Sequence, residues 1–189
     1  MTSESIFEEL YANPVIMAIK NNKDFNKCLE SENKIVFVLY GNLETIPLIV
    51  KKLKTHGKIV IVHEDLIEGL SSSTFAASFI KKYTEADGII STKPANVIYA
   101  RKLGLFAVLR FFVFDSISYE NMKQTIKDIN CDVIEILPGI MPNMIVDIKK
   151  RTNTPIVAGG LISSKEEVMD AINSGALAIS SSNYNVWQM

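Results

Sequence analysis

Cysteine, arginine and histidine are all scarce in this chain. Among its 189 residues are two cysteines and two histidines, and arginine occurs only as Arg101, Arg110 and Arg151. Cys28 and Cys131 lie far apart and match no metal-ligand spacing, which excludes a disulfide framework and a cysteine-rich zinc site. Both read as small apolar residues of a reducing compartment. An excess of one charge is also missing: 20 Lys and Arg face 21 Asp and Glu, for a formal charge of −1. No global basic field therefore advertises nucleic acid. No apolar run approaches the ~20 residues that span a bilayer. The N-terminus, MTSESIFEELY, is acidic where a secretory leader would be basic. The expected setting is the cytoplasm, without a membrane partner. Linkers and low-complexity stretches are lacking too, so residues 1–189 are expected to form one domain. His63-Glu64-Asp65 is a local run whose side chains alternate in direction, and no metal site is expected there.

What is present is a strict alternation of strand-like and helix-like segments. Short runs rich in Val and Ile predict strands at 14–19, 34–41, 58–63, 88–93, 105–112, 132–139, 155–160 and 176–181. Segments of helical period fill the gaps, and Ser5-Ile6-Phe7-Glu8 predicts a capping box at the start of a short leading helix. Gly57, Gly104 and Gly175 fall where helices should end, while Pro47, Pro94 and Pro142 fall in first turns. Nearly continuous apolar strands imply burial on both faces, as in parallel sheets. Eight regular units without a GxGxxG after the first strand predict a compact (β/α)8 TIM-type barrel over an open doubly wound sheet. The chain is short for that fold, which typically needs about 250 residues. Only SNYNVWQM follows the last strand, so the final helix is expected to be stunted. Trp187 and Met189 then cover either the barrel's own flank or a second subunit.

Period-two alternation indicates which strand residues face inward. It assigns His63, Lys93, Arg110 and Glu135, from four neighbouring strands, to one cavity at the C-terminal strand ends. A buried charge without a partner is costly, so Arg110 and Glu135 are expected to pair. Either they form only a structural pair, or the set lines a site for a small anion. The seventh strand ends in Gly159-Gly160 and the eighth in Ser180-Ser181-Ser182. Loops after strands seven and eight are the recurrent phosphate site of this barrel class. Paired glycines let backbone N–H groups approach an anion, and small hydroxyls add donors. The expected pocket is thus Gly159, Gly160, Ser181 and Ser182, complemented by cations from the middle strands.

A second set of cations lies toward helix C-termini: Lys51, Lys52, Lys54, Lys81, Lys82, Arg101, Lys102, Lys149, Lys150 and Arg151. In a barrel these gather on the face opposite the mouth. They complement the helix dipoles, or they form a basic rim that tracks RNA phosphates in a salt-dependent way.

The blocks HEDLIEGL (63–70), DGIISTK (87–93), RFFVFDS (110–116), EILPGIMP (135–142), PIVAGGLI (155–162) and GALAISSSNYNVW (175–187) occur in order along nearly the whole chain. In them the sequence resembles the glycerol-3-phosphate-responsive antiterminators, regulators of the bacterial glycerol uptake operon. The resemblance implies a barrel that binds glycerol 3-phosphate as effector, without another cofactor, and acts on leader mRNA to prevent transcription termination. It implies His63, Asp65, Lys93, Arg110, Glu135, Gly139, Gly159, Gly160, Ser181 and Ser182 as cavity positions. Segments 64–73 and 138–143 are candidates to close over the ligand, and a homo-oligomer is a further expected partner. The residues alone leave a second class open: a phosphotriose or phosphosugar isomerase, lyase or Schiff-base aldolase. In that class Lys93 would form the imine, Glu135 would be general base and His63 the electrophile.

Overall fold

The computed structural model describes residues 2–70 and 73–189. Its strands are β1 (Val15–Ile19), β2 (Ile35–Val38), β3 (Ile59–His63), β4 (Gly88–Ser91), β5 (Phe106–Phe112), β6 (Val133–Leu137), β7 (Ile156–Gly159) and β8 (Ala178–Ser181). A helix precedes β1, α1 (Ser3–Ala12), and helices separate the strands: α2 (Asn22–Glu30), α3 (Ile46–Thr55), α4 (Phe75–Tyr83), α5 (Pro94–Lys102), α6 (Ser116–Thr125), α7 (Pro142–Lys149) and α8 (Lys165–Asn173). The strands pair in chain order, all parallel, and β1 also pairs with β8. The sheet is therefore a closed (β/α)8 barrel rather than an open doubly wound sheet. Among the described residues no helix is long and apolar enough to cross a membrane.

Alternation along the strands produces two apolar layers. Ile16, Phe37, Ile61, Ile90, Val108 and Val133 point inward and form one cluster with Ile6 and Leu10 of α1. Met17, Val36, Val60, Ile89, Ala107 and Ile134 point outward and pack beneath the helices. Helix α1 thus plugs the N-terminal end of the barrel, where the Phe7 ring meets Phe106 edge-on at 5.5 Å. Gly57, Gly104 and Gly175 close α3, α5 and α8 with φ of +71°, +71° and +103°, as a left-handed C-terminal residue requires. Pro47, Pro94 and Pro142 do stand in the first turns of α3, α5 and α7. Both cysteines are buried and unpaired.

Three local expectations need correction. Helix α1 is capped by Thr2, whose hydroxyl accepts the Ser5 N–H at 3.3 Å, so Ser5 is the third helical residue rather than the cap. A hydroxyl was available one turn earlier. The second strand ends at Val38 rather than residue 41; Gly41, at φ +122°, turns the chain outward. In the fourth strand Ile90, not Ile89, faces the barrel axis. Lys93 is thus out of phase with the interior and stands at the N-terminal cap of α5.

The final helix is stunted as expected: α9 spans only Tyr184–Trp187. Trp187 covers the barrel's own flank. Its indole Nε1 donates to the Ser181 carbonyl at 2.7 Å, and its own carbonyl accepts from Asn33 at 2.9 Å.

Candidate functional site at the barrel mouth

Above the inward apolar layer the same alternation changes character. Ile59 and Ile61 are followed by His63 on β3, Phe106 and Val108 by Arg110 on β5, Val133 by Glu135 on β6, and Ala178 by Ser180 on β8. Arg110 and Glu135 stand opposite one another in the ladder. The Arg110 Nε donates to Glu135 Oε2 at 2.6 Å, and the Ser180 hydroxyl donates to Oε1 at 2.6 Å. Both oxygens of this buried carboxylate are thereby engaged, which is the condition for keeping a charge inside a barrel. The guanidinium is held through Nε alone; its two Nη nitrogens have no partner among the described residues.

Gly159 makes this arrangement possible. A Cβ there would lie 2.5 Å from Glu135 Oε1 and 2.7 Å from Ser180 Oγ, so any side chain would displace the triad. Gly139 is equally close-packed: its N–H donates to the Gly159 carbonyl at 2.6 Å, and a Cβ would fall 2.8 Å from the Gly159 nitrogen. Gly160 and Leu161 follow with φ of +75° and +63°.

His63 is buried, and its Nδ1 makes no hydrogen bond among the described residues. Burial, and next the charge of Arg110, push its pKa down to about 3, so the ring is neutral. Asp65 lies 3.8 Å from that nitrogen, in a 3-10 turn spanning Glu64–Leu66. It accepts from the Thr92 N–H at 2.8 Å and from the Ser91 hydroxyl at 3.2 Å, and Lys93 Nζ lies at 3.4 Å. Burial pushes the Asp65 carboxyl upward, but the Thr92 N–H, the Lys93 charge and the Thr92 hydroxyl outweigh it and hold the group below its ordinary value. Asp65 therefore draws Lys93 to the mouth although Lys93 is out of phase with the interior.

The structure thus brings His63, Asp65, Lys93, Arg110, Glu135, Gly139, Gly159 and Gly160 together at the C-terminal ends of β3 to β7. Ser181 differs. Its hydroxyl donates to the Ile162 carbonyl at 2.7 Å and accepts the Asn183 N–H at 3.0 Å; the inward serine is Ser180. Ser182 sits half-buried at the start of the last turn. Segment 64–73 includes Ser71 and Ser72, which lie outside the described residues.

Two residues escaped the sequence reading. Ser180 was legible: counting two from inward Ala178 selects it. Glu64 was not, because an acid after a strand reads as exposed. It is buried, and Asn96 Nδ2 donates to its Oε1 at 2.5 Å. Burial raises its pKa.

On the opposite face the basic rim divides in two. Lys54 pairs with Asp87 at 2.6 Å, Arg101 with Asp132 at 3.4 Å and Arg151 with Asp147 at 2.9 Å. Asp87 and Asp132 in turn accept backbone N–H groups of Val60 and Ala107, at 2.8 and 2.9 Å, where β3 and β5 begin. These cations are tied to the scaffold. Lys51, Lys52, Lys81, Lys82, Lys102, Lys149 and Lys150 are exposed and make no ion pair among the described residues.

Comparison with known proteins agrees with the barrel fold. The family model of the glycerol-3-phosphate responsive antiterminators matches residues 15–187. The protein YgcP of Escherichia coli (strain K12) is 43% identical over 180 residues, covering 95% of this chain and 94% of that protein. The crystal structure of the glycerol uptake operon antiterminator regulatory protein from Listeria monocytogenes superposes with a TM-score of 0.90 at 34% identity, covering 93% of this chain and 95% of the other. A glycerol uptake operon antiterminator-related protein from Thermotoga maritima gives a TM-score of 0.82 at 34% identity, with 93% and 98% covered. The chain belongs to the family of glycerol-3-phosphate responsive antiterminators.

Proposed function

We propose that this protein senses glycerol 3-phosphate at the barrel mouth and, in response, binds the leader mRNA of a glycerol uptake operon to prevent transcription termination. One observation carries the ligand half of this reading: Glu135, braced by Ser180, holds the Arg110 guanidinium through Nε, and both Nη donors are without a partner among the described residues. An arginine fixed in this way is preorganised for an oxyanion or hydroxyl ligand. Beside it lies the Gly159-Gly160 turn; the room left by the missing Gly159 Cβ is taken by Glu135 and Ser180, so a phosphate there would be met by backbone N–H groups of the turn. Ser181 and Ser182 then contribute through their backbone, since the Ser181 hydroxyl is already engaged. Lys93, His63 and Asp65 complete the far wall, where the glycerol hydroxyls would lie. The neutral His63 ring offers a donor or an acceptor without adding charge.

The enzymatic alternative requires Glu135 as a free general base. Both its oxygens are occupied by Arg110 and Ser180, which favours a binding role. For RNA, the exposed lysines Lys51, Lys52, Lys81, Lys82, Lys102, Lys149 and Lys150 form the proposed rim, with Lys54, Arg101 and Arg151 as its anchored members. The experiment is a gel shift with the operon leader RNA, with and without glycerol 3-phosphate, alongside calorimetric titration of that ligand. The expected result is binding heat and an RNA affinity that changes with ligand. Heat without any ligand-dependent change in RNA affinity would overturn the regulatory reading.

A further inference from the structure

We infer that the apolar rim formed by Phe112, Phe114, Ile117, Met141 and Leu161 is a contact surface for a second copy of this chain, and that effector at the adjacent mouth controls its pairing. Phe112 ends β5, Ile117 is in the first turn of α6, and the others sit on the loops that follow β5, β6 and β7. Phe114, Leu161 and Ile117 are 83%, 70% and 69% exposed, and Phe112 and Met141 are 40% exposed each. Phe112 and Phe114 stack in parallel, with ring centroids 5.8 Å apart and 3° between planes. An apolar groove of about 460 Å³ runs beside them, between Phe114, Tyr119, Met141 and Met144.

Leu161 is the most unusual member. It holds φ +63°, a conformation costing a β-carbon-bearing residue roughly 1 kcal/mol, and it then presents its side chain to water. Neither cost brings a return in the monomer. With full areas of roughly 150–250 Å² for an aromatic side chain, the five residues leave on the order of 500 Å² of apolar surface in water. That is about the apolar share of one half of a standard interface, roughly 65% of 800 Å². The groove is lined by Asp115 and by no lysine or arginine. An RNA strand needs cations near its phosphates, so the charge pattern favours a protein partner. The groove joins apolar Phe114, Met141 and Met144 with polar Asp115, Ser116 and Asn143, a lining that suits the self-complementary contact of a two-fold dimer.

The control by effector rests on the function proposed above. Phe112 lies two residues after Arg110, Met141 two after Gly139, and Leu161 directly after Gly160. Ordering those site residues around a ligand orders the same backbone that carries the rim. A ligand binding the paired state more tightly shifts the equilibrium toward it.

The test is sedimentation equilibrium of the full chain, with and without glycerol 3-phosphate, for the wild type, Phe114→Glu and Leu161→Asn. Asparagine accepts a positive φ, so Leu161→Asn removes the apolar contact while preserving or raising thermal stability. The expected result is a wild-type dimer strengthened about tenfold by ligand, and association weakened by at least about tenfold in either variant. A wild type that stays monomeric while calorimetry shows ligand bound overturns the inference. So does a dimer that neither substitution weakens. A Phe114→Glu protein of unchanged mass but reduced RNA affinity assigns the rings to nucleobase stacking and also overturns it. If instead both variants break a dimer but no ligand heat is found, the surface stands and the effector reading fails.

Discussion

At the closed end of the barrel, Ile6 and Leu10 of α1 share one buried apolar cluster with inward Ile35, Ile59 and Phe106. At the open end, two inward steps further along those strands or their neighbours, stand His63, Arg110, Glu135 and Ser180. The backbone frame is the same at both ends; only the residue type in the inward phase changes. The difference shows how a barrel separates its tasks. The lower layers remove apolar surface from water at roughly 25 cal/mol per Å². The upper layer spends some of that gain on a desolvated charge pair whose geometry suits a ligand. Scaffold contacts at the closed end are also ionic, but there Asp87 and Asp132 hold strand starts and present nothing to the interior.

The comparison breaks most sharply at Arg110. Arg110→Met leaves the Glu135 carboxylate buried and without its cation, which is expected to cost about 3–5 kcal/mol. Adding Glu135→Leu makes the upper layer resemble the lower one. Denaturant unfolding is expected to show most of that stability returning in the double variant, while calorimetry shows no glycerol 3-phosphate binding in either protein. A double variant that binds ligand like the wild type would show that the pair belongs to the scaffold alone. At the closed end Leu10→Ala should lose about 3 kcal/mol, by transfer and cavity terms, with ligand affinity unchanged because α1 lies at the far end of the barrel. A coupled loss of affinity would mean that the two ends are not independent.

Much of this division is legible in the sequence, for a physical reason. Strands buried on both faces must be apolar, so a charge in the inward phase stands out: Arg110, Glu135 and His63 are visible as soon as the strands are phased. Lys93 and the choice between Ser180 and Ser181 show where the phasing slips. In GIISTK both Ile89 and Ile90 are apolar, and hydropathy cannot say which one faces the axis. The structure reverses the assumed phase, and Lys93 arrives at the mouth only through its contact with Asp65. In ALAISSS three successive serines hide the inward one. Glu64 could not be found at all, since its burial depends on Asn96 from α5, a partner 32 residues away. The role of α1 as a plug was likewise hidden, because an amphipathic leading helix carries no mark of the surface it will cover.

The mildest way to sharpen the contrast is to titrate His63. Its folded pKa is about 3, against about 6.5 in an unfolded chain. Between those values the unfolded state carries a proton that the native state refuses, so stability rises with pH across the window. The contribution is fully present above about pH 6.5 and is lost as pH falls toward 3. By about pH 5 it should amount to about 2 kcal/mol, at 1.36 kcal/mol per unit. Glu64 works in the opposite direction. Its raised pKa means that the native state takes up a proton first, so its contribution grows as the solution becomes acidic. The wild-type slope mixes the two, whereas the difference between wild type and His63→Gln isolates the histidine. Urea unfolding at several pH values from about 7 to about 5 should show the two proteins converging by about 2 kcal/mol. Parallel lines would mean that His63 titrates as if in water. The layer of charge above the apolar barrel would then be wet in the absence of ligand, and Arg110 and Glu135 would face each other across solvent rather than inside the protein.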